Sequence, residues 1–348
     1  MGAHVRHLLW FLLLCAGAVA TAQVAAADAN PGIVAEAAPP PDASPDLKRL
    51  IGEYRSAEVK LTIYEAGGQL RAEGLGLNQA TLRQLSATQF SVDETAVPTA
   101  VQFQLDQDGH PVSVTVATTR LQFKDIGREV VRQIRAGVRS DSGRLRTAAL
   151  AAKPPTEPDP KRVFDLVDLA SVDPSIKLDI RYASSNNFLG FPLYERAAAY
   201  LQRPAAEALG RVERSLVSKG YGLLIHDAYR PWFVTKMFWD ATPESDHVFV
   251  ADPSQGSRHN RGCAVDLTLY NLKSGTAVEM TGRYDEMSPR SYADYIGGTS
   301  RQRWLRELLR KAMEAQGFAV YPEEWWHFDY KDWSDYAIGT ATFTQLAK

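Results

Sequence analysis

Cysteine is nearly absent. Cys15 and Cys263 are the only two in 348 residues, which excludes a disulfide framework and leaves stability to packed cores. An excess of one sign of charge is missing too. Lysine and arginine number 39 against 41 aspartates and glutamates, a formal net charge of −2, so no bulk basic field points to nucleic acid. The apolar run at residues 8–20 falls short of the ~20 residues that a membrane-spanning helix needs. Hydrophobic residues at 45% and charged residues at 23% are ordinary for a globular chain and exclude a wholly disordered, collagenous or multi-span one. At ~150 residues per domain, the length accommodates about two domains.

Residues 1–22 read as a secretory signal. Arg6 precedes the apolar run, and Ala20-Thr21-Ala22 offers a small-x-small cleavage site before Gln23. Leu14, ahead of Cys15, is too bulky for lipid attachment. The expected location is therefore outside the cytoplasm, periplasmic or secreted, with Cys263 the one remaining thiol. Residues 23–46, rich in Ala, Pro and Asp, read as a flexible spacer.

From 47 to 127 the texture turns to β. Val59, Leu61 and Ile63 alternate with polar residues, as do Val101, Phe103 and Leu105, then Val112, Val114 and Val116. Asp108-Gly109 marks a hairpin-type turn and Gly67-Gly68 another. The pattern predicts a small all-β accessory domain, its sheet closed on itself or folded over one core. His110, beside the turn, reads as a solvated loop residue. Residues 128–160 open with a basic run that includes Arg128, Arg132 and Arg135. Val130, Val131, Ile134 and Val138 fit one helix with an apolar face. Pro154, Pro155, Pro158 and Pro160 then read as an interdomain linker. The charge run itself reads as a solvated face.

Residues 161–348 alternate irregularly between helix-like and strand-like segments, which predicts an α+β domain. Helical spacing covers residues 203–220 and 301–316, and a short apolar strand at 222–225 leads into Asp227-Ala228-Tyr229-Arg230-Pro231. The chemistry concentrates at two places. One is Ser257-Arg258-His259-Asn260-Arg261-Gly262-Cys263-Ala264-Val265-Asp266; the other is Glu324-Trp325-Trp326-His327. The odd spacing of His259 and Asp266 would put them on opposite faces of a flat strand, and Gly262 supplies a bend that brings them back together. A turn-like start to the last strand would place Glu324 and His327 in the same cleft.

Two histidines and an aspartate make a zinc set with a fourth position left for water. Glu324 is placed to take that water's proton, and Arg230, fixed by Pro231, is a candidate for holding an anionic oxygen. His226 reads as a buried strand histidine, His247 as a solvated loop residue in the 243–256 segment, and Cys263 as a small buried thiol. Trp325 and Trp326 read as pocket lining or as packing beneath the site.

S-x-H-x-x-G-x-A-x-D followed by E-W-W-H, with D-x-Y-R-P upstream, resembles the zinc D-alanyl-D-alanine dipeptidases (VanX-type), relatives of zinc D,D-carboxypeptidases and of the Hedgehog signalling domain. The resemblance covers about residues 163–335. It implies one Zn2+ on His259, Asp266 and His327, with Glu324 as catalytic base and Arg230 stabilising the tetrahedral intermediate. Tyr182, Ser257 and Asp285 match substrate-site positions, Asp285 as the carboxylate facing a dipeptide's ammonium. The substrate so implied is D-Ala-D-Ala or a related peptidoglycan-derived peptide. Two other readings stay open: a D,D-carboxypeptidase or endopeptidase on longer peptides, and a non-catalytic Hedgehog-like wall-binding module. Gly52-x-Tyr54 weakly resembles small β modules appended to exported hydrolases.

Overall fold

The computed structural model describes residues 38–93, 98–157 and 161–347. The signal expected at residues 1–22 and most of the expected spacer lie outside the described residues. The end of that spacer is structured: helix α1 (Pro45–Lys48) begins inside it. Ser44 Oγ accepts from the Leu47 N–H at 3.3 Å, and Pro45 sits in the first turn. Leu47 and Leu50 sink into the core that follows.

Eight antiparallel strands then close into a barrel: β1 (Gly52–Arg55), β2 (Lys60–Ala66), β3 (Gln69–Gly74), β4 (Leu77–Gln84), β5 (Gln89–Val92), β6 (Thr99–Leu105), β7 (Pro111–Val116) and β8 (Thr119–Lys124). Each strand pairs with the next, and β8 returns to β1 with Phe123 opposite Tyr54. Of the two arrangements the alternation allowed, this is the closed one, which removes both sheet edges. Two-residue alternation turns Leu61, Ile63, Val101, Phe103, Val114 and Val116 inward. Tyr54 fills the middle against Phe103 and Phe123, and its hydroxyl donates to Leu50 O at 2.8 Å. The turns fall at Gly67-Gly68 and Asp108-Gly109, and His110 is exposed at the second.

Two helices follow where the sequence pattern gave one. In α2 (Ile126–Val138), Ile134 and Val138 face inward. After a break at residues 139–141 comes α3 (Ser142–Ala151), in which only Ala149 is buried. So short an apolar signature is why periodicity missed it. The Pro-rich stretch is anchored at Glu157, which accepts from Arg261 Nη1 at 2.6 Å and from the Ile338 N–H at 2.7 Å.

The rest of the chain mixes helices and strands. β9 (Leu166–Asp168), followed by α4 (Leu169–Val172), pairs with β11 (Tyr200–Gln202). A five-stranded sheet is built from β10 (Lys177–Leu178), β12 (Tyr221–Asp227), β13 (Ala264–Asn271), β14 (Phe318–Tyr321) and β15 (Glu324–Tyr330), in the order β10-β12-β13-β15-β14. The helices α5 (Arg203–Val217) and α7 (Ser300–Glu314) contact this sheet and each other, and α6 (Trp232–Ala241) and α8 (Phe343–Leu346) complete the set. On β13, Val265, Leu267 and Leu269 join the apolar core, while Asp266 and Thr268 alternate onto the other face. That second face carries the site.

The barrel is seated on the start of α7. Thr299 and Gln302 form a capping box there, and Glu65 of β2 adds a carboxylate to the helix end. Glu65 Oε2 accepts from the Ser300 N–H at 2.7 Å, and its Oε1 from the Gly68 N–H at 2.7 Å. Arg303 donates to Glu65 O at 2.7 Å, and Tyr295 donates to Glu53 Oε1 at 2.6 Å. Since Glu65 is 3% exposed, Glu65→Ala removes a buried carboxylate and leaves the Ser300 and Gly68 N–H groups without it. It is expected to cost about 1–3 kcal/mol, read as a lower midpoint in urea unfolding; an unchanged midpoint would count against the seam as a source of stability.

Candidate metal centre and active site

Three segments converge on one buried point. His259 lies in the turn ahead of β13, Asp266 on β13, and His327 on β15 directly opposite Asp266 in register. Gly262, at φ +67, makes the reversal between His259 and the strand; a Cβ there would also meet Leu166 at 2.5 Å. His259 Nε2 and His327 Nδ1 are 3.0 Å apart, and Asp266 Oδ1 lies 3.2 Å from the first and 3.0 Å from the second.

The outward nitrogens of both rings are committed. His259 Nδ1 faces the Ala228 carbonyl at 2.6 Å, and His327 Nε2 faces Asp329 Oδ1 at 2.8 Å. Each of these partners is an acceptor, so the proton of each neutral ring sits there. Two lone pairs and a carboxylate oxygen are left facing one another. Such a trio repels unless a cation or a proton lies among them. Burial opposes charge on His327, yet Asp329 and Asp266 outweigh it and push its pKa up to about 10. Asp266 is buried, which alone would raise its pKa, but His259 and His327 hold it well below the usual carboxylate range. Its other oxygen accepts from the Tyr284 hydroxyl at 2.9 Å. Two imidazoles and one carboxylate, each oriented from behind, fit a zinc site with an open fourth position.

The two chemical groups expected beside this centre are both present. Glu324 Oε2 lies 3.8 Å from His327 Nδ1. An irregular register between Val320 and Tyr321, at the end of β14 and opposite the start of β15, accompanies the turn that brings Glu324 round. Burial pushes the Glu324 carboxyl up to about 8, with His327 opposing. Arg230 is buried and gripped by Asp227, whose Oδ2 lies 2.9 Å from both Nε and Nη2. The guanidinium packs over the Phe238 ring, and its Nη2 is 3.6 Å from Asp266 Oδ2. Burial disfavours its charge, but Asp227 holds it firmly protonated.

A cavity of about 90 Å³ adjoins these groups and is also lined by Tyr182, Ser257 and Asp285. Tyr182 donates to Asp285 Oδ1 at 2.8 Å. Asp285 is held at φ 59, a conformation that Asp tolerates better than most residues. Ser257 Oγ accepts from the His259 N–H at 3.2 Å, which ties it to the ligand turn. The loop bearing Asp285 is organised by buried Glu286, which accepts from the Arg283 N–H at 3.0 Å and Ser288 Oγ at 2.7 Å.

Every candidate site residue thus reaches one cleft. Asp329, Asp227 and Tyr284 were not given roles in the sequence reading. Their signal was local: a carboxylate two residues after His327, another three residues before Arg230, and a tyrosine beside Asp285. His226 is buried against the Tyr284 ring at 4.7 Å, and Cys263 is fully buried, its thiol pushed up to about 12 by burial. His247 departs from expectation. It stacks on Trp239 at 3.7 Å, with Nε2 3.0 Å from Thr242 O, because its loop folds back on the end of α6. Trp326 lines the cavity.

Residues 162–344 match the family model described as D-ala-D-ala dipeptidase. A D-alanyl-D-alanine dipeptidase of Escherichia coli K12 is 35% identical over 174 residues, covering 50% of this chain and 89% of that protein. One from Enterococcus faecium is 34% identical over 175 residues, 45% of this chain and 87% of its own. One from Streptomyces coelicolor is 34% identical over 186 residues, 47% and 92% respectively. Together these matches define an enzyme, a hydrolase of the metallopeptidase type. The chain belongs to the D-Ala-D-Ala dipeptidase family. The barrel, α2 and α3 precede the matched residues.

Asp329 turns the His327 ring but touches nothing else in the ligand set, so Asp329→Asn isolates orientation from coordination. Zinc affinity, measured by competition with a chromophoric chelator, is expected to fall ~10–100-fold. Unchanged affinity would contradict the assignment of His327 Nδ1 as the inward nitrogen.

Proposed function

We propose that this protein hydrolyses the free dipeptide D-Ala-D-Ala to two D-alanines, with zinc held by His259, Asp266 and His327. The observation that carries the reading is Asp285. Its Oδ1 is engaged by Tyr182, but its Oδ2 is buried with no hydrogen-bond partner among the described residues. A buried carboxylate oxygen left alone is costly, and the ammonium of a free dipeptide satisfies it. An acylated amine brings no such charge. Burial pushes Asp285 up to about 7, with the Tyr182 hydrogen bond opposing, so an arriving ammonium draws it into its charged form. The cavity is confined, at about 90 Å³, a scale that suits a dipeptide better than a long peptide. The names of the relatives support the same substrate.

Zinc in this site supplies Lewis acidity, bringing the pKa of a water near ~7 and polarising the scissile carbonyl. Glu324 takes the attacking water's proton and hands it to the leaving nitrogen as the C–N bond breaks. Arg230, immobilised by Asp227, donates to the oxygen that becomes negative. Asp285 and Tyr182 hold the ammonium end, and the Ser257 hydroxyl faces the substrate. We infer the arrangement shared by zinc D,D-peptidases and the Hedgehog domain from the mixed sheet with its site on one face. Placement outside the cytoplasm rests on the pattern of residues 1–22 alone.

The zinc-loaded enzyme is expected to release D-Ala from D-Ala-D-Ala and to leave N-acetyl-D-Ala-D-Ala intact. Asp285→Ala should raise KM for the free dipeptide by ~10–100-fold, the worth of a charged hydrogen bond. Glu324→Gln should lower kcat by ~10²–10⁴-fold with zinc content unchanged. Comparable cleavage of the acetylated peptide would move the reading to a D,D-carboxypeptidase. Silence on both substrates with metal bound would favour a non-catalytic module.

A further inference from the structure

The arginine run ahead of the family match is a solvated face, as expected, with Arg128, Arg132 and Arg135 exposed, and these three also wall a second cavity. This space, about 650 Å³, shares Phe188, Asp285 and Glu286 with the cavity at the metal centre. Six arginines line it against three carboxylates, Glu279, Asp285 and Glu286. Several of the arginines are occupied: Arg128 by Asp125 at 3.0 Å, Arg181 by Asp179 at 2.7 Å and Arg290 by Glu286 at 3.0 Å. Arg132 of α2 and Arg283 of the facing loop have no ion-pair partner among the described residues.

Two further wall residues carry buried polar atoms without a hydrogen-bond partner among the described residues, Thr268 Oγ1 and Trp325 Nε1. The residues are 4% and 3% exposed. Thr268 follows Asp266 by two positions on β13, so it stands on the same face of the sheet, further along from the metal centre. An indole N–H and a guanidinium can only donate. The exposed guanidinium groups of Arg132 and Arg283 therefore call for a ligand that accepts at several points and carries negative charge. The wall is also built to last: a Cβ on Gly127 of α2 would come 2.2 Å from Glu286, so the helix sits directly on the loop that Glu286 organises.

We propose that this cavity is a second binding site, for a small oligo-anion bearing carboxylate or phosphate groups, formed between α2 and the loop that carries Asp285. It does not depend on the hydrolytic reading. The test is isothermal titration of the full zinc-loaded chain at low ionic strength, with tricarballylate as the carboxylate probe and, separately, inorganic phosphate. At least one probe is expected to give saturable heat. The Kd should rise at least ~10-fold in the Arg132→Ala/Arg283→Ala double variant, with D-Ala-D-Ala turnover unchanged. Tighter binding of tricarballylate assigns a carboxylate source; tighter binding of phosphate assigns a phosphorylated one. No saturable heat with either probe, or heat that the exposed double variant leaves unaltered, would overturn the proposal.

Discussion

Three electron-pair acceptors held about 3 Å apart and buried at the wall of a small cavity set the terms for the catalytic half of this protein. Such a cluster is stable only around positive charge. The neighbours make it more demanding, because the Ala228 carbonyl and Asp329 hold the ring protons on the outside. Tyr284 occupies the second oxygen of Asp266, so that carboxylate presents only one oxygen to the centre. Arg230 then sits at the edge of the same field, its charge secured by Asp227. One arrangement serves both binding and chemistry: the groups that would hold a cation and the groups that would act on a substrate share carboxylates and are fixed by the same turns.

The loop that bears Asp285 depends on parts of the chain that lie outside the matched family region. Glu286 gathers the loop from within, and α2 rests on Glu286 through Gly127. Further on, Tyr295 reaches the barrel at Glu53, and Glu65 caps α7. The N-terminal half is therefore packed against the elements that position the substrate end of the cleft, through buried carboxylates whose N–H and O–H partners come from the other side of the seam.

Sequence patterning made much of this legible, and the limits were physical. Alternation in 47–127 exposed the strands, because a closed barrel has one buried face on every strand. It did not choose closure over folding, since both bury the same residues; the pairing of β1 with β8 decides that. Helices α5 and α7 announced themselves through long apolar stripes, whereas α3 buries a single alanine and left no trace in the pattern. At the site, the order of motifs placed the ligand set, Glu324 and Arg230 in one cleft. What escaped were residues whose role is orientation, Asp329, Asp227 and Tyr284, because a carboxylate or tyrosine that steers a neighbour carries no spacing rule of its own. His247 escaped for a related reason: stacking on Trp239 is a tertiary contact that a polar loop sequence does not reveal.

The most direct test of the central claim is a crystal of the purified protein grown with one equivalent of zinc, with anomalous scattering recorded on both sides of the zinc absorption edge. The account predicts a single strong peak among His259 Nε2, Asp266 Oδ1 and His327 Nδ1, at about 2.0–2.2 Å from each, with Asp329 still on the far nitrogen of His327. Absence of a peak there, or a peak bound through the opposite ring nitrogens, would contradict it.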